Sequence, residues 1–167
     1  EKYDLHRKDI VEIGCGKGEF LMLLAELGNN RGLGIDPGTH VDRIKPEVAD
    51  KLEFITELYA EEHLDRPVDF LACKMTLEHI SQPLAFLRSI RAGLEGKPDT
   101  VVFFQIPEAR RILSECAFED IYYEHCSYFT PGSLTALFQR AGFDVLGTTI
   151  EYDDQYLTIE ATPSGPL

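Results

Sequence analysis

The sequence predicts one α/β domain built on a seven-stranded sheet that is mostly parallel and ends in an antiparallel hairpin. Three observations lead to this fold class. Short β-branched or apolar runs alternate with helical patterns along most of the chain. A glycine-rich loop joins the first strand to the first helix. The last two strands, 143–150 and 155–161, are too close in sequence for a parallel crossover, so they must pair antiparallel.

Composition restricts the classes of function. All 167 residues are assigned to this one domain, because 44% of them are hydrophobic and can form a sizeable core. A net charge of −13 disfavours nucleic acid, which is bound by clustered Lys and Arg. No apolar run approaches the roughly 20 residues of a membrane span, and the four cysteines lack the CxxC spacing typical of metal sites. We therefore expect a cytoplasmic protein that acts on a small molecule, with no membrane, nucleic acid or metal.

The first strand ends in the segment Glu12-Ile13-Gly14-Cys15-Gly16-Lys17-Gly18, which is followed by a helical pattern. The three glycines let the backbone turn sharply and approach a ligand closely, and the free N–H groups of the helix start face the same crevice. This arrangement predicts a nucleotide site. A dinucleotide fingerprint needs glycine or alanine at position 19, but the chain has Glu19, whose carboxylate would repel a pyrophosphate. A nicotinamide oxidoreductase is therefore disfavoured.

The pattern E-x-G-x-G-x-G from Glu12 to Gly18 resembles motif I of the Rossmann-like class I methyltransferases that use S-adenosylmethionine (SAM). SAM carries a sulfonium cation and no phosphate, and its product is S-adenosylhomocysteine (SAH). The resemblance implies a seven-stranded methyltransferase sheet with SAM bound over the glycine loop. The residues predicted to bind the cofactor are Glu12, Gly14, Cys15, Gly16, Gly18, Asp36, Pro37, Glu57 and Lys74.

Two acidic residues follow the next two strands. Asp36 ends the second strand, 22 residues after Gly14, where a carboxylate can accept hydrogen bonds from ribose hydroxyls. Taken alone, an Asp before Pro37-Gly38 is typical of a turn. Glu57 lies just beyond the third strand, 52–56, near the point where methyltransferases of this type often hold the adenine amino group. Thr56, Glu57 and the backbone remain alternatives for that contact.

The fourth strand, 68–73, leads into Lys74-Met75-Thr76-Leu77-Glu78-His79-Ile80. Ligands of open parallel sheets bind beyond the carboxyl ends of the strands, so polar side chains here can face a cofactor or an acceptor. Leu-Glu-His-Ile also resembles the corresponding motif of many SAM methyltransferases, although a structural turn would explain it as well. Ser81 is predicted to cap the following helix. The strand at 100–106 is apolar enough to be buried on both faces.

The alternation breaks in a long insert at 107–130, which indicates a substrate loop or lid. Its Tyr122-Tyr123-Glu124-His125 segment, followed by Ser127-Tyr128-Phe129-Thr130, resembles the C-methyltransferases that act on keto-deoxysugar nucleotides. The resemblance covers roughly residues 10–161 and implies that Tyr122, Glu124 and His125 contact the acceptor, with His79 as a second histidine. Histidine, oriented by a carboxylate, can remove a proton from a carbon beside a ketone, and the enolate can then attack the SAM methyl group.

Several alternatives remain open. The insert's aromatic residues could be a packed patch, with Glu124 and His125 as a surface pair. The enzyme could be an O- or N-methyltransferase of another small metabolite, or a non-catalytic domain that binds SAM or a partner. Because the chain begins close to its first strand, we expect a fragment of a longer protein or a partner-dependent domain. A homodimer or association with flanking domains is a further expectation. Residues 162–167 are predicted to be a frayed tail.

Overall fold

The computed structural model describes residues 2–39 and 44–165, and its strands form one seven-stranded sheet. In chain order the strands are β1 (Asp9–Ile13), β2 (Arg31–Ile35), β3 (Leu52–Ile55), β4 (Phe70–Lys74), β5 (Val101–Pro107), β6 (Phe143–Glu151) and β7 (Tyr156–Pro163). Their order in the sheet is β3-β2-β1-β4-β5-β7-β6. Strands β1 to β5 pair in parallel, and β7 pairs antiparallel with both β5 and β6. The predicted α/β class, strand count and terminal hairpin are confirmed.

The α-helices of the described residues are α1 (Glu19–Gly28), α2 (Pro83–Gly93), α3 (Ala109–Glu115) and α4 (Pro131–Arg140). Short 3₁₀ turns cover Pro46–Lys51, Glu61–Leu64, Leu77–His79 and Phe118–Asp120. Thr130 caps α4 by accepting a hydrogen bond from the Ser133 N–H, and Pro131 lies in the first turn, as the sequence predicts. None of these helices combines the length and apolar character required to cross a membrane.

The topology places a crevice beside β1. This strand lies between β2 and β4, so the chain adds strands outward from β1 in both directions. The loops that follow β1 and β4 must diverge to opposite sides of the sheet at this switch in strand order. In open α/β sheets the ligand binds in the crevice outside the carboxyl ends of such strands.

The central strands bury side chains on both faces of the sheet. Val11 and Leu71 belong to the larger hydrophobic cluster, whereas Ile10 and Phe70 belong to a second cluster with Leu21 of α1. Fully burying one such apolar side chain contributes about 1.5–3 kcal/mol. The loops at the strand ends are therefore anchored on a rigid support.

Three local predictions were wrong. Strand β5 is fully buried on one face only, because Phe103 packs in the smaller cluster and remains half-buried while Phe104 is completely covered. Ser81 does not cap α2: Gln82 is the N-cap residue, without a side-chain hydrogen bond, and Pro83 begins the helix. The insert contains α3, whose start is capped by Glu108, where no helix was predicted. Short helices of this kind depend on tertiary contacts rather than on propensity.

The predicted frayed tail was also wrong for residues 162–165, and residues 166–167 lie outside the described residues. Strand β7 continues to Pro163. The buried Arg91 guanidinium then donates hydrogen bonds to the carbonyl oxygens of Gly142, Ser164 and Gly165, at 2.9, 2.6 and 3.0 Å. A buried cation needs such acceptors, and it holds this part of the chain in place.

Candidate active site

The glycine loop follows β1, and each of its three glycines is required for a physical reason. All have positive φ, at 73°, 51° and 73° for Gly14, Gly16 and Gly18. A Cβ on Gly14 would lie 2.0 Å from the Thr76 Oγ1 atom, and a Cβ on Gly18 would lie 2.8 Å from the ring of Phe54. A Cβ on Gly16 would meet nothing within 4 Å. Packing therefore excludes side chains at Gly14 and Gly18, whereas Gly16 borders open space.

Asp36 holds this loop against the end of β2. Its Oδ2 accepts a hydrogen bond from the Gly16 N–H at 3.1 Å, and its Oδ1 accepts one from the Gly38 N–H at 2.6 Å. The Gly14 N–H donates to the Ile35 carbonyl at 2.8 Å. Each carboxylate oxygen retains a second lone pair, so ribose hydroxyls can still donate to Asp36.

A cavity of about 570 Å³ opens over the loop, and we call it the glycine-loop cavity. Its size falls within the range of small-molecule sites, roughly 300–1,000 Å³. Its lining residues are Glu12, Gly14, Cys15, Gly16, Lys17, Glu19, Phe20, Asp36, Lys74, Met75, Thr76, Gln105, Tyr152 and Tyr156. Of the predicted cofactor residues, Gly18, Pro37 and Glu57 are not in this lining. Another cavity, of about 440 Å³, lies at the opposite edge, where β1 and β2 begin, away from the ligand-binding end of the sheet.

A buried acid and a lysine lie together in the glycine-loop cavity. Glu12 is only 3% exposed, and its Oε2 has no hydrogen-bond partner in residues 2–39 and 44–165. Burial raises the pKa of Glu12 to about 8, although the positive charge of Lys74 partly opposes that rise. The Lys74 ammonium lies 4.2 Å from the ring centroid of Phe20, a cation–π contact.

The raised pKa of Glu12 predicts a pH-dependent stability. The carboxyl has an ordinary pKa of 4.5 and a folded-state pKa of about 8, so the folded protein binds its proton more tightly than the unfolded chain. This contribution is fully present below pH 4.5 and is lost as the pH rises to about 8, at up to about 1.4 kcal/mol per pH unit. Urea unfolding from pH 5 to 9 should therefore show Glu12→Gln gaining a few kcal/mol relative to wild type as the pH rises.

The exposed Glu19→Gln is the matched control, because it removes a carboxyl from the same cavity without removing a buried one. Glu19 lies in the first turn of α1, so its loss should lower the unfolding free energy by no more than about 1 kcal/mol, through the helix dipole. Parallel pH curves for wild type and Glu12→Gln would contradict the assignment of Glu12 as the group that titrates.

A second cavity, of about 310 Å³, adjoins the first, and we call it the histidine cavity. It is lined by Met75, Glu78, His79, Pro107, Tyr122, Glu124, His125, Gln155 and Tyr156. The structure thus brings together all four predicted catalytic residues, Tyr122, Glu124, His125 and His79. Met75 and Tyr156 line both cavities, so the two spaces are neighbours.

Backbone hydrogen bonds attach the insert to the turn after β4. The N–H groups of Cys126 and Ser127 donate to the Glu78 carbonyl at 2.7 and 3.2 Å. The imidazoles of His79 and His125 consequently meet edge to face, with ring centroids 4.8 Å apart, and the Tyr122 ring lies 5.0 Å from that of His125. His79 and His125, 46 positions apart in sequence, thereby form one cluster with Tyr122.

The buried acid beside the histidines is Glu78 rather than Glu124. Glu124 contributes its carbonyl oxygen, which lies 3.3 Å from His79 Nδ1. Glu78 is 1% exposed, and neither of its carboxylate oxygens has a hydrogen-bond partner within the described residues. Burial raises the pKa of Glu78, and the neighbouring His79 partly opposes the rise. The sequence prediction did not include Glu78 among the catalytic residues. Its position shortly after β4, at the ligand-binding end of the sheet, could have identified it as a candidate.

Three side chains of this cluster are of kinds that can bind a metal ion. The ligand atoms of Glu78, His79 and His125 lie within 4.8 Å of one another. Such side chains are also common zinc ligands. Two imidazole nitrogens and a carboxylate oxygen are therefore close enough to act on one bound group.

The chain is similar to several families of methyltransferases. Residues 2–148 match a sequence family described as a methyltransferase domain. C-methyltransferase NovU of Streptomyces niveus is 31% identical over 144 residues, which cover 82% of this chain and 33% of NovU. A tRNA U34 carboxymethyltransferase of Nautilia profundicola is 24% identical, over 68% of this chain and 39% of that enzyme. A ubiquinone biosynthesis O-methyltransferase of Pasteurella multocida is 26% identical, over 58% of this chain and 45% of that enzyme.

The fold is shared with solved structures at low sequence identity. N,N-8-amino-8-demethyl-D-riboflavin dimethyltransferase (RosA) of Streptomyces davawensis superposes with a TM-score of 0.74 at 20% identity, over 96% of this chain and 51% of that one. The chain spans less than half the length of each of the three relatives named above. Their names point to different acceptors, tRNA U34 in one case and ubiquinone biosynthesis in another, so the similarity leaves the acceptor to be argued from the site.

Proposed function

The chain belongs to the methyltransferase domain family, and we propose that it transfers a methyl group from SAM, held in the glycine-loop cavity, to a small molecule held in the histidine cavity. One observation carries this proposal: the two cavities adjoin at Met75 and Tyr156. Methyl transfer requires the acceptor atom to approach the sulfonium methyl in line, and a fixed pair of neighbouring sites supplies that alignment.

We propose the predicted cofactor residues as the SAM site. Asp36 would accept hydrogen bonds from the ribose, while the left-handed turn at Gly16 leaves room for the nucleoside above the loop. Gly14 lies in the cavity wall, and Gly18 supports this turn from outside the lining. Pro37 and Glu57 remain candidates for the adenine end, which would then extend beyond the glycine-loop cavity. SAH would occupy the same site after transfer.

For the acceptor we propose a keto-deoxysugar nucleotide that is methylated on carbon. The motif from Tyr122 to His125 and the similarity to a C-methyltransferase support this choice. His125 would take a proton from the carbon beside the ketone, and the resulting enolate carbon would attack the SAM methyl group, releasing SAH. Tyr122, Glu124 and His79 would surround the reacting carbon. An O-methyltransferase using the same SAM site is the main alternative, supported by the ubiquinone biosynthesis relative.

A tRNA acceptor is a further class to test, because one of the relatives is named for tRNA U34. The net charge of −13 opposes it, since affinity for a phosphate backbone depends on Lys and Arg contacts. We therefore propose that the acceptor is a small molecule and that nucleic acid is not bound.

Calorimetric titration with SAM and SAH tests the proposal directly. We expect saturable binding of both and none of NADH, which the carboxylate of Glu19 disfavours. SAH formation would then be measured with keto-deoxysugar nucleotides, with hydroxylated aromatic acceptors and with tRNA. Failure to bind either SAM or SAH would overturn the proposal. Binding without turnover on any acceptor would instead identify a SAM-binding domain that does not catalyse transfer.

A further inference from the structure

The wall of the histidine cavity is acidic. Its lining includes Glu78 and Glu124, and no lysine or arginine of the described residues belongs to it. Glu78 is 1% exposed, and within residues 2–39 and 44–165 neither of its carboxylate oxygens receives a hydrogen bond. A buried carboxylate without donors is costly unless a cation or a donor of a ligand satisfies it. The cavity therefore favours a positively charged ligand.

The side chains beside Glu78 are imidazoles, which bind metal cations through a nitrogen lone pair. Ligand atoms of Glu78, His79 and His125 lie within 4.8 Å of one another. Two atoms bonded to one zinc ion at about 2.0–2.2 Å are at most about 4.4 Å apart, so the three must close by at least a few tenths of an ångström to share it. His79 is exposed and His125 is only partly buried, so both rings have room for such a movement.

A backbone carbonyl determines which nitrogen of His79 is available. His79 Nδ1 lies 3.3 Å from the carbonyl oxygen of Glu124. A carbonyl oxygen only accepts, so Nδ1 carries the proton of this hydrogen bond, and the neutral ring keeps its lone pair on Nε2. A histidine that binds a metal usually donates its other N–H to a carbonyl or a carboxylate in this way. The contact therefore prepares Nε2 of His79 to bind a metal ion.

Two histidines and one glutamate form a donor set found in zinc sites that keep one coordination position open. We propose that Glu78, His79 and His125 bind one zinc ion, which inhibits methyl transfer because the His125 lone pair cannot bind zinc and accept a proton at once. The sequence prediction of no metal depended on cysteine spacing, and this cluster contains no cysteine. The inhibition rests on the proposed function, since it takes His125 as the base, whereas zinc binding does not.

Calorimetric titration of the chain with ZnCl₂, without SAM or acceptor, tests the site. We expect one zinc ion per chain and no measurable binding of MgCl₂, because imidazole ligands suit zinc and not magnesium. Glu78→Gln and His79→Ala should each weaken zinc binding by more than the roughly 10–100-fold that losing an outer partner of a metal ligand costs. Because His79 is exposed, His79→Ala should fold even if Glu78→Gln does not.

Cys126→Ser is the matched control, because an exposed thiol beside the cluster is another zinc ligand. Its Sγ lies 3.4 Å from the carbonyl oxygen of His79. This variant should keep the wild-type zinc affinity. The inference would be overturned by loss of zinc binding in Cys126→Ser, by wild-type zinc affinity in His79→Ala, or by magnesium binding as tight as that of zinc.

The inhibition is measured as SAH formation at increasing ZnCl₂. Saturating zinc should lower turnover by about 10²–10⁴-fold, the loss expected when a general base is blocked, and EDTA should restore it. SAM affinity should stay nearly unchanged, because none of the three zinc ligands lines the glycine-loop cavity. Stimulation by zinc, or unchanged turnover at saturating zinc, would overturn the inhibitory role. If no acceptor is methylated, the proposed function fails, and the zinc titration still decides whether the site exists.

Discussion

Replacing Gly16 with valine should weaken SAM binding roughly 100-fold or more, equivalent to about 3 kcal/mol, while the protein still folds. The backbone at Gly16 has φ 51°, and a Cβ there meets no protein atom within 4 Å, so the new side chain would project into the glycine-loop cavity. It would occupy the space proposed for the nucleoside and disturb the N–H that contacts Asp36. Calorimetric titration with SAM and SAH measures the loss.

Gly96→Val is a close control for backbone strain. Gly96 has φ 76°, also has nothing within 4 Å of a Cβ, and lies just beyond α2, outside both cavities. A β-branched residue in this left-handed conformation should cost each variant about 1–3 kcal/mol of stability. SAM affinity should fall only in Gly16→Val. A similar loss in both variants would show that strain, rather than occupation of the cavity, weakens binding.

Replacing His125 with alanine should lower the turnover rate by about 10²–10⁴-fold, the usual contribution of a positioned general base. SAM affinity should stay nearly unchanged, because His125 lines the histidine cavity and not the glycine-loop cavity. The measurements are SAH formation with saturating acceptor and calorimetric titration with SAM.

His6→Ala provides the control for removing an imidazole. The His6 side chain is 63% exposed and pairs with Asp4, and neither residue lines the histidine cavity. Its turnover should equal that of the wild type. If turnover and SAM affinity fell together in His125→Ala, His125 would belong to the cofactor site instead. Unchanged turnover in His125→Ala would exclude it as the base.

The parts of the site that depend on local sequence were predictable. The turn at Gly14, Gly16 and Gly18 needs positive φ, which glycine adopts without steric penalty, and the pattern that encodes the turn is continuous in the chain. Asp36 follows a strand of known direction, so its place at the carboxyl end of the sheet followed from topology. The short link between β6 and β7 likewise required antiparallel pairing.

The burial of individual side chains and the contacts between distant segments were harder to predict from the sequence. Glu78 lies in a polar segment, yet folding leaves it 1% exposed beside two imidazoles. The motif at Tyr122 to His125 was recognised as a candidate, but its position against His79 depends on two hydrogen bonds from the insert to the Glu78 carbonyl. Such contacts join segments far apart in sequence, and local propensity carries no information about them.

The sequence by itself determined the α/β class, the main walls of the glycine-loop cavity and the motif from Tyr122 to His125 that lines the histidine cavity, because each follows from periodicity, turn chemistry or a contiguous pattern. Only the tertiary structure decided that the hairpin completes both cavities. The antiparallel register of β5 and β7 pairs Pro107 with Tyr156, which places Tyr156 at the carboxyl end of β5, where the two cavities adjoin. A shift of one residue in that register would turn Tyr156 to the other face, and the strand's own sequence does not specify which partner it meets.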